Sequence, residues 1–223
     1  MKLSDIAVVL TIIVAIIAIA TFLAGLWGPP DISKSSTSTP TPTPTTTPSP
    51  TPIPIIIDRM DSTSGWESYI DTRTESSIDF TSVSGRTDNA IAISYDMKES
   101  GYVSIIREIT PEILSGKEGI KFYYKGSGKP STLALILEYG DPGDTCFGVE
   151  WDSATVRDDW VSIEVPYTYF DCWWPEDNCL HYGNKLDLRN VRRIAFAIMN
   201  NYEAGDIQGS GRVIIDDVQG ITS

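Results

Sequence analysis

The segment Gly119–Glu138, with the sequence GIKFYYKGSGKPSTLALILE, indicates the class of the fold. It contains two runs separated by a turn-forming stretch, and in each run large apolar residues recur at every second position. These are Ile120, Phe122 and Tyr124 before the turn and Leu133, Leu135 and Leu137 after it. A period of two is typical of β-strands that bury one face, so we predict two strands with these side chains in the core.

Similar short runs, punctuated by Gly, Asp and Asn, continue along the chain. They are Ile53–Asp58, Ile78–Val83, Ala90–Met97, Tyr102–Ile109, Cys146–Trp151, Trp160–Val165, Arg192–Asn200 and Arg212–Val218. Helical options are brief, at Pro111–Ser115 and Leu186–Asn190. About ten strands with so little helix predict an all-β fold, an antiparallel β-sandwich. The same alternation directs Ile91, Ile93, Tyr95, Ile194, Phe196 and Ile198 into its core.

The order of these motifs resembles the family 11 carbohydrate-binding modules and the related complex I intermediate-associated protein family. The segments that carry the resemblance are Ile57–Asp61 with Gly65-Trp66, Gly119–Gly128, Leu133–Glu138, Trp160–Pro166 with Phe170, Leu186–Val191, Ile194–Ile198 and Gly211–Val218. It implies a jelly roll of the galactose-binding-like type, with Trp66 and Trp160 in core positions. The chain departs from the pattern at Arg59 and Met60, where an Asp and a Phe are usual, and in a cysteine-bracketed tryptophan pair.

Acidic residues near the two ends of the predicted domain form a candidate calcium site. Relatives in the resembled families commonly hold a structural calcium ion near the first and last strands, which implies ligands at Asp61 and at Asp216 or Asp217. Asp88, in a predicted turn, is a further candidate. Asp216 shares a strand face with Val218 and is expected to point inward, where a carboxylate needs a counter-ion. The alternative is that these residues cap strand ends or pair with nearby arginines.

Aromatic side chains suggest a binding function. Sugars stack the C–H faces of their rings on aromatic side chains, and stacked aromatic contacts contribute about 0.5–1.5 kcal/mol each beyond the area buried. The candidate ligand-binding residues are Tyr102, Tyr123, Glu138, Tyr139, Trp151, Trp173 and Trp174.

The tryptophan pair lies between two cysteines in the sequence CWWPEDNC. The chain has three cysteines, and one disulfide with one remaining thiol fits an exported protein. We expect Cys172 to pair with Cys179 and to close a loop too short to bury two indoles. Trp173 and Trp174 would then form an exposed contact surface. Pairing of Cys146 with either cysteine is the alternative.

The N-terminal part of the chain predicts a membrane anchor followed by a linker. Ile6–Trp27 is a run of 22 uncharged residues, which gives roughly 33 Å of helix against a hydrocarbon core of ~30 Å. A tract of Ser, Thr and Pro follows and predicts an extended, solvated spacer. We therefore predict an anchor at residues 1–30, a disordered linker at 31–52 and the β-sandwich at 53–223, outside the cell membrane. A cleaved signal ending at Ala18-Ile19-Ala20 and a prepilin-like signal are the alternatives.

Charge and histidine content argue against several functions. The net charge of −13 falls in the predicted domain and disfavours nucleic acid, because phosphate recognition needs a concentrated positive surface. The one histidine, His181, excludes metal sites built from two or three histidines. The strand glutamates, among them Glu138 and Glu150, show no signature of a glycoside hydrolase.

Together these features predict a single-pass cell-membrane protein whose outward-facing module binds a glycan or polysaccharide without catalysis and holds structural calcium. The alternative is a protein-interaction or assembly subunit that contacts a protein of the cell envelope. Aromatic residues that line a groove would favour the glycan, whereas a flat apolar patch would favour a partner chain.

Overall fold

The computed structural model describes residues 55–98, 101–140 and 145–222. These residues form twelve β-strands, one short α-helix and four single turns of 3-10 helix. The strands are β1 (Ile55–Asp58), β2 (Trp66–Ile70), β3 (Ser77–Ser84), β4 (Asn89–Met97), β5 (Tyr102–Glu108), β6 (Gly119–Gly128), β7 (Thr132–Glu138), β8 (Cys146–Trp151), β9 (Arg157–Pro166), β10 (Asp171–Trp174), β11 (Arg193–Met199) and β12 (Gly209–Ile221). The helix, α1, is Glu176–His181.

The strands form two antiparallel sheets. Sheet I has the order β3–β4–β12–β6–β9, with β1 also paired to β12. Sheet II has the order β10–β8–β7–β11–β5–β2. Along the described strands the chain crosses from one sheet to the other eight times, so both sheets are built from distant parts of the sequence. The predicted all-β antiparallel β-sandwich is confirmed.

The core lies between the sheets and contains the side chains that the alternation directed inward. All twelve residues predicted to be inward on β4, β6, β7 and β11 belong to one buried cluster. At its centre, Phe122 of sheet I meets Phe196 of sheet II edge to face, with ring centroids 5.1 Å apart. Both rings are fully buried, so replacing either with alanine would cost about 3–5 kcal/mol of unfolding free energy.

The structure differs from the sequence prediction at two strands, at the helix α1 and at one tryptophan. β2 and β10 were not predicted, because each is short and lies at an edge of sheet II with few buried residues. The core position predicted for Trp160 is wrong. Val161 pairs with the buried Tyr124 and faces the core, so Trp160 faces outward from sheet I, where the Lys125 Nζ lies 4.9 Å from its ring centroid.

The predicted N-terminal segments lie outside the described residues. Among residues 55–98, 101–140 and 145–222, no helix combines the length and the apolar character needed to cross a membrane. The anchor at residues 1–30 and the linker at 31–52 therefore stay predictions.

Candidate functional site

The centre of the outer face of sheet II carries mostly small side chains. Ala134 on β7 lies opposite Ala197 on β11, which in turn lies opposite Ser104 on β5. In the next row, Gly148 on β8 lies opposite Ile136 on β7. Because most of these side chains are short, the middle of the face forms the floor of a groove between bulkier edges.

Two tryptophans on β10 form the first edge of this groove. The six-membered ring of Trp173 lies directly over Gly148, and a Cβ at residue 148 would overlap it. Glycine at this position therefore allows the indole to lie against strand β8. Trp174 is 59% exposed. Its backbone pairs with that of Cys146 on β8, and the register between β10 and β8 shifts between Cys172 and Trp174, where Trp173 lies.

The predicted disulfide between Cys172 and Cys179 is present and ties β10 to α1. The tryptophans between these cysteines lie on a strand rather than in the expected loop. The prediction that both are exposed holds for Trp174 only, because Trp173 is half-buried against the sheet.

Two tyrosines form the opposite edge of the groove. The rings of Tyr69 on β2 and Tyr102 on β5 stack with centroids 5.5 Å apart and planes inclined by 25°. Burial, reinforced by Tyr69, raises the pKa of Tyr102 far above its ordinary value, so its hydroxyl keeps its proton and can donate a hydrogen bond. The strands β10 and β5 are four strand spacings apart, which is about 19 Å.

An aspartate beside the tyrosines is paired with an arginine. The Arg73 guanidinium donates from Nη2 to the Asp71 carboxylate at 2.6 Å and from Nε at 3.0 Å. These hydrogen bonds lower the pKa of Asp71. The carboxylate is therefore held in its ionised form as a hydrogen-bond acceptor.

A second ion pair lies in the groove itself. Glu138 on β7 and Arg193 on β11 are direct cross-strand neighbours, with Oε2 and Nη2 3.1 Å apart, and each residue is less than a tenth exposed. On β8, the cross-strand neighbour of Glu138 is Cys146, a free thiol that is half-buried. Burial, and then the charge of Glu138, raise the pKa of Cys146 to about 11. The thiol is consequently protonated and a poor nucleophile.

The groove encloses a cavity of about 390 Å³, which is within the range of small-ligand sites. Four of the seven predicted ligand-binding residues line it: Tyr102, Glu138, Trp173 and Trp174. The prediction missed Tyr69, Asp71, Arg73 and Met199, which also line it. A sequence signal for Tyr69 existed, because a residue three positions after the inward-facing Trp66 must lie on the opposite face of a strand.

The other three predicted residues lie elsewhere. Tyr139 is buried against Phe147, with ring centroids 5.2 Å apart, and its hydroxyl accepts a hydrogen bond from the backbone nitrogen of Asp187. Trp151 packs edge to face on Phe122 in the core.

Tyr123 lies on the outer face of sheet I, on the opposite side of the sandwich from the groove. Its ring is covered by Arg86, whose Cζ lies 3.5 Å from the ring centroid. These positions separate Tyr123, Tyr139 and Trp151 from the groove.

Two of the predicted calcium ligands contact the turn between β3 and β4. Asp216 is buried, as predicted, and its Oδ2 accepts a hydrogen bond from the Arg86 backbone nitrogen at 2.7 Å. Burial raises the pKa of Asp216, and the hydrogen bond and charge of Arg86 offset only part of this effect. Asp217 pairs instead with the Arg86 side chain, with Oδ2 and Nη1 3.2 Å apart.

The other two predicted calcium ligands belong to the same region. Asp61 Oδ1 accepts a hydrogen bond from the Asn89 backbone nitrogen at 3.0 Å, and Asp88 is exposed in the turn. Within the described ranges, no three His, Cys, Asp or Glu side chains are grouped so as to hold a metal ion. A buried carboxylate is suited to calcium, but the remaining ligands are not gathered around it, and calcium binding stays a prediction.

Comparison with solved structures identifies the fold. A family 11 carbohydrate-binding module from Clostridium thermocellum, in complex with a β-1,3-1,4-mixed-linked tetrasaccharide, matches with a TM-score of 0.61 and 22% identity, over 76% of this chain and 96% of that one. The family 11 module of a cellulosomal cellulase from Clostridium thermocellum matches with a TM-score of 0.60 and 21% identity, over 76% and 95% of the two chains. No protein-family model matches the sequence, and no curated protein does.

These likenesses show that the described domain has the jelly-roll β-sandwich fold of family 11 modules. The resemblance to the complex I intermediate-associated family stays a prediction.

Proposed function

We propose that this chain binds a polysaccharide in the groove of sheet II, without catalysis, and that its N-terminal segment holds the module at the outer surface of the cell membrane. The observation that carries the proposal is the presence of an aromatic pair at each end of one groove. Two such platforms, about 19 Å apart across the strands, suit an extended sugar chain better than a single sugar.

The two carboxylates of the main cavity support binding rather than hydrolysis. A glycosidase needs a general acid with a raised pKa opposite a second carboxylate. Here Arg73 lowers the pKa of Asp71, and Glu138 is paired with Arg193. Both carboxylates are thereby held as hydrogen-bond acceptors, which is the role that sugar hydroxyls require.

The shape of the site favours a glycan over a protein partner. The cavity of about 390 Å³ lies between the two aromatic pairs, whereas an assembly surface is expected to be flat. The solved family 11 module with its bound mixed-linked tetrasaccharide suggests which polysaccharide to test first.

The test is binding of the full chain, purified in detergent, to soluble polysaccharides that include a β-1,3-1,4-mixed-linked glucan. Trp174→Ala should weaken binding about tenfold and leave the melting temperature nearly unchanged, because this ring is already 59% exposed. Tyr123→Ala is the matched control, since it removes an aromatic ring from the opposite sheet. Failure of the wild type to bind any polysaccharide, or an equal loss in both variants, would refute the proposal.

A further inference from the structure

A second cavity adjoins the groove where β11 ends and β5 begins. It encloses about 450 Å³ and shares Tyr102 and Met199 with the first cavity. Its remaining lining residues are Gly101, Glu150, Asn200, Asn201, Tyr202 and Glu203. We propose that this cavity is an additional subsite for an uncharged sugar unit, with Tyr202 as its platform. The inference depends on the proposed function, because it lengthens the same binding groove.

Tyr202 presents its ring to solvent while its hydroxyl is fixed in place. The residue is 49% exposed. Its hydroxyl oxygen accepts hydrogen bonds from Gln208 Nε2 at 2.8 Å and from Asn200 Nδ2 at 3.2 Å. Since both amides donate to the oxygen, the tyrosine proton is left to donate to a ligand acceptor. A ring held in this way loses little conformational freedom when a sugar stacks on it.

The segment that carries Tyr202 is anchored by one buried carboxylate. Asp206 Oδ2 accepts hydrogen bonds from the backbone nitrogen of Asn201 at 2.7 Å and from both the backbone nitrogen and the hydroxyl of Thr132 at 2.8 Å. Its Oδ1 accepts a fourth from the Ser153 hydroxyl at 2.8 Å. These bonds tie the segment after β11 to the start of β7, so the platform is pre-organised relative to the groove.

The charges around this cavity define the class of sugar. Its described lining has two carboxylates, Glu150 and Glu203, and no arginine or lysine. Burial, together with Asp152 and Asp206, raises the pKa of Glu150, which shows that the local environment disfavours further negative charge. Sugar hydroxyls can donate to these oxygens, whereas the carboxylate of a uronic acid would be repelled.

The experiment compares oligosaccharides of one linkage and increasing length. Calorimetry of the full chain in detergent, with mixed-linked glucan oligosaccharides from four to eight units, should show that affinity rises about three- to tenfold once the ligand reaches the second cavity. Tyr202→Ala should remove this gain and leave the affinity for the tetrasaccharide unchanged. Tyr202→Phe should keep part of it, because the ring remains. Tyr169→Ala removes a comparably exposed tyrosine outside both cavities and should behave as the wild type.

The outcomes separate the subsite from the function on which it depends. If no oligosaccharide of any length binds to the wild type, both proposals fail. If the tetrasaccharide binds but longer ligands gain nothing, or if the gain survives in Tyr202→Ala, the subsite alone is refuted. Unchanged tetrasaccharide affinity also reports that Tyr202→Ala is folded. If Tyr202→Ala weakens binding equally for oligosaccharides of every length, Tyr202 stabilises the fold rather than contacting the ligand, and the subsite is overturned.

Discussion

Removal of the Cys172–Cys179 disulfide should lower both stability and polysaccharide binding. The bond joins residues seven positions apart, and in the chain-entropy model the closure of so short a loop stabilises the fold by about 2.5 kcal/mol. For a domain of this size that free energy corresponds to a decrease of about 5–10 °C in melting temperature. The bond ties an edge strand, β10, to a short helix, and Cys172 only borders the core cluster; the large side chains at the centre of the core stay in place, so the domain should still fold.

The assay is differential scanning calorimetry of the full chain, with and without a thiol reductant, beside the variant Cys172→Ala/Cys179→Ala. The double variant should melt at the temperature of the reduced wild type and should not respond to reductant. Cys146→Ala is the control, because this cysteine is unpaired. In the double variant the Trp173 and Trp174 edge loses its tie to α1, so binding should fall about tenfold. The reasoning would be refuted if reductant did not change the melting temperature of the wild type, or if Cys146→Ala lowered the melting temperature as much as the double variant does.

Four further measurements test the groove, the candidate metal site and the anchor. Gly148→Ala should displace the Trp173 ring and weaken polysaccharide binding about tenfold, with a loss of about 1–3 kcal/mol in unfolding free energy; binding equal to wild type would contradict the contact. Calcium should raise the melting temperature of the wild type but not of Asp216→Asn, and a wild type with the same melting temperature in chelator would reject the metal site. In chelator, the wild type should gain stability relative to Asp216→Asn as the pH falls below neutral, because burial raises the pKa of the folded carboxyl and the folded state takes up the proton first. Intact mass of membrane-extracted protein should include Met1–Trp27, and a mature chain that begins at Thr21 would show cleavage instead.

The architecture could be predicted because most strands bury one face against a large core. In β6 and β11 the alternation of large and small or polar residues is regular, and the structure places Phe122 and Phe196 where that alternation directs them. β2 and β10 lack this signal, because an edge strand that covers little of the core needs few buried side chains. Tyr69 and the strand position of Trp173 were missed for that reason.

The site was harder to predict because it depends on which face each residue occupies. Glu138 and Tyr139 are neighbours in sequence and so project to opposite sides of the chain. One therefore lines the groove, while the other packs on Phe147 in the core. Trp151 was misplaced by the same ambiguity, since an aromatic residue near the end of a strand is compatible with either face. Sequence composition identified the residue types, and only the register between strands assigned them to a surface.

The charges of the groove differ from those of the rest of the domain, and the sheet register explains the difference. The chain carries a net charge of −13, yet the two carboxylates that line the main cavity each face an arginine, Arg73 for Asp71 and Arg193 for Glu138. The second pair exists because β7 and β11 place the two residues directly opposite each other. Burying either charge alone would cost several kcal/mol. Because the partners compensate each other, the main cavity can enclose two carboxylates and remain close to neutral. Under the proposed function, these carboxylate oxygens would accept hydrogen bonds from sugar hydroxyls.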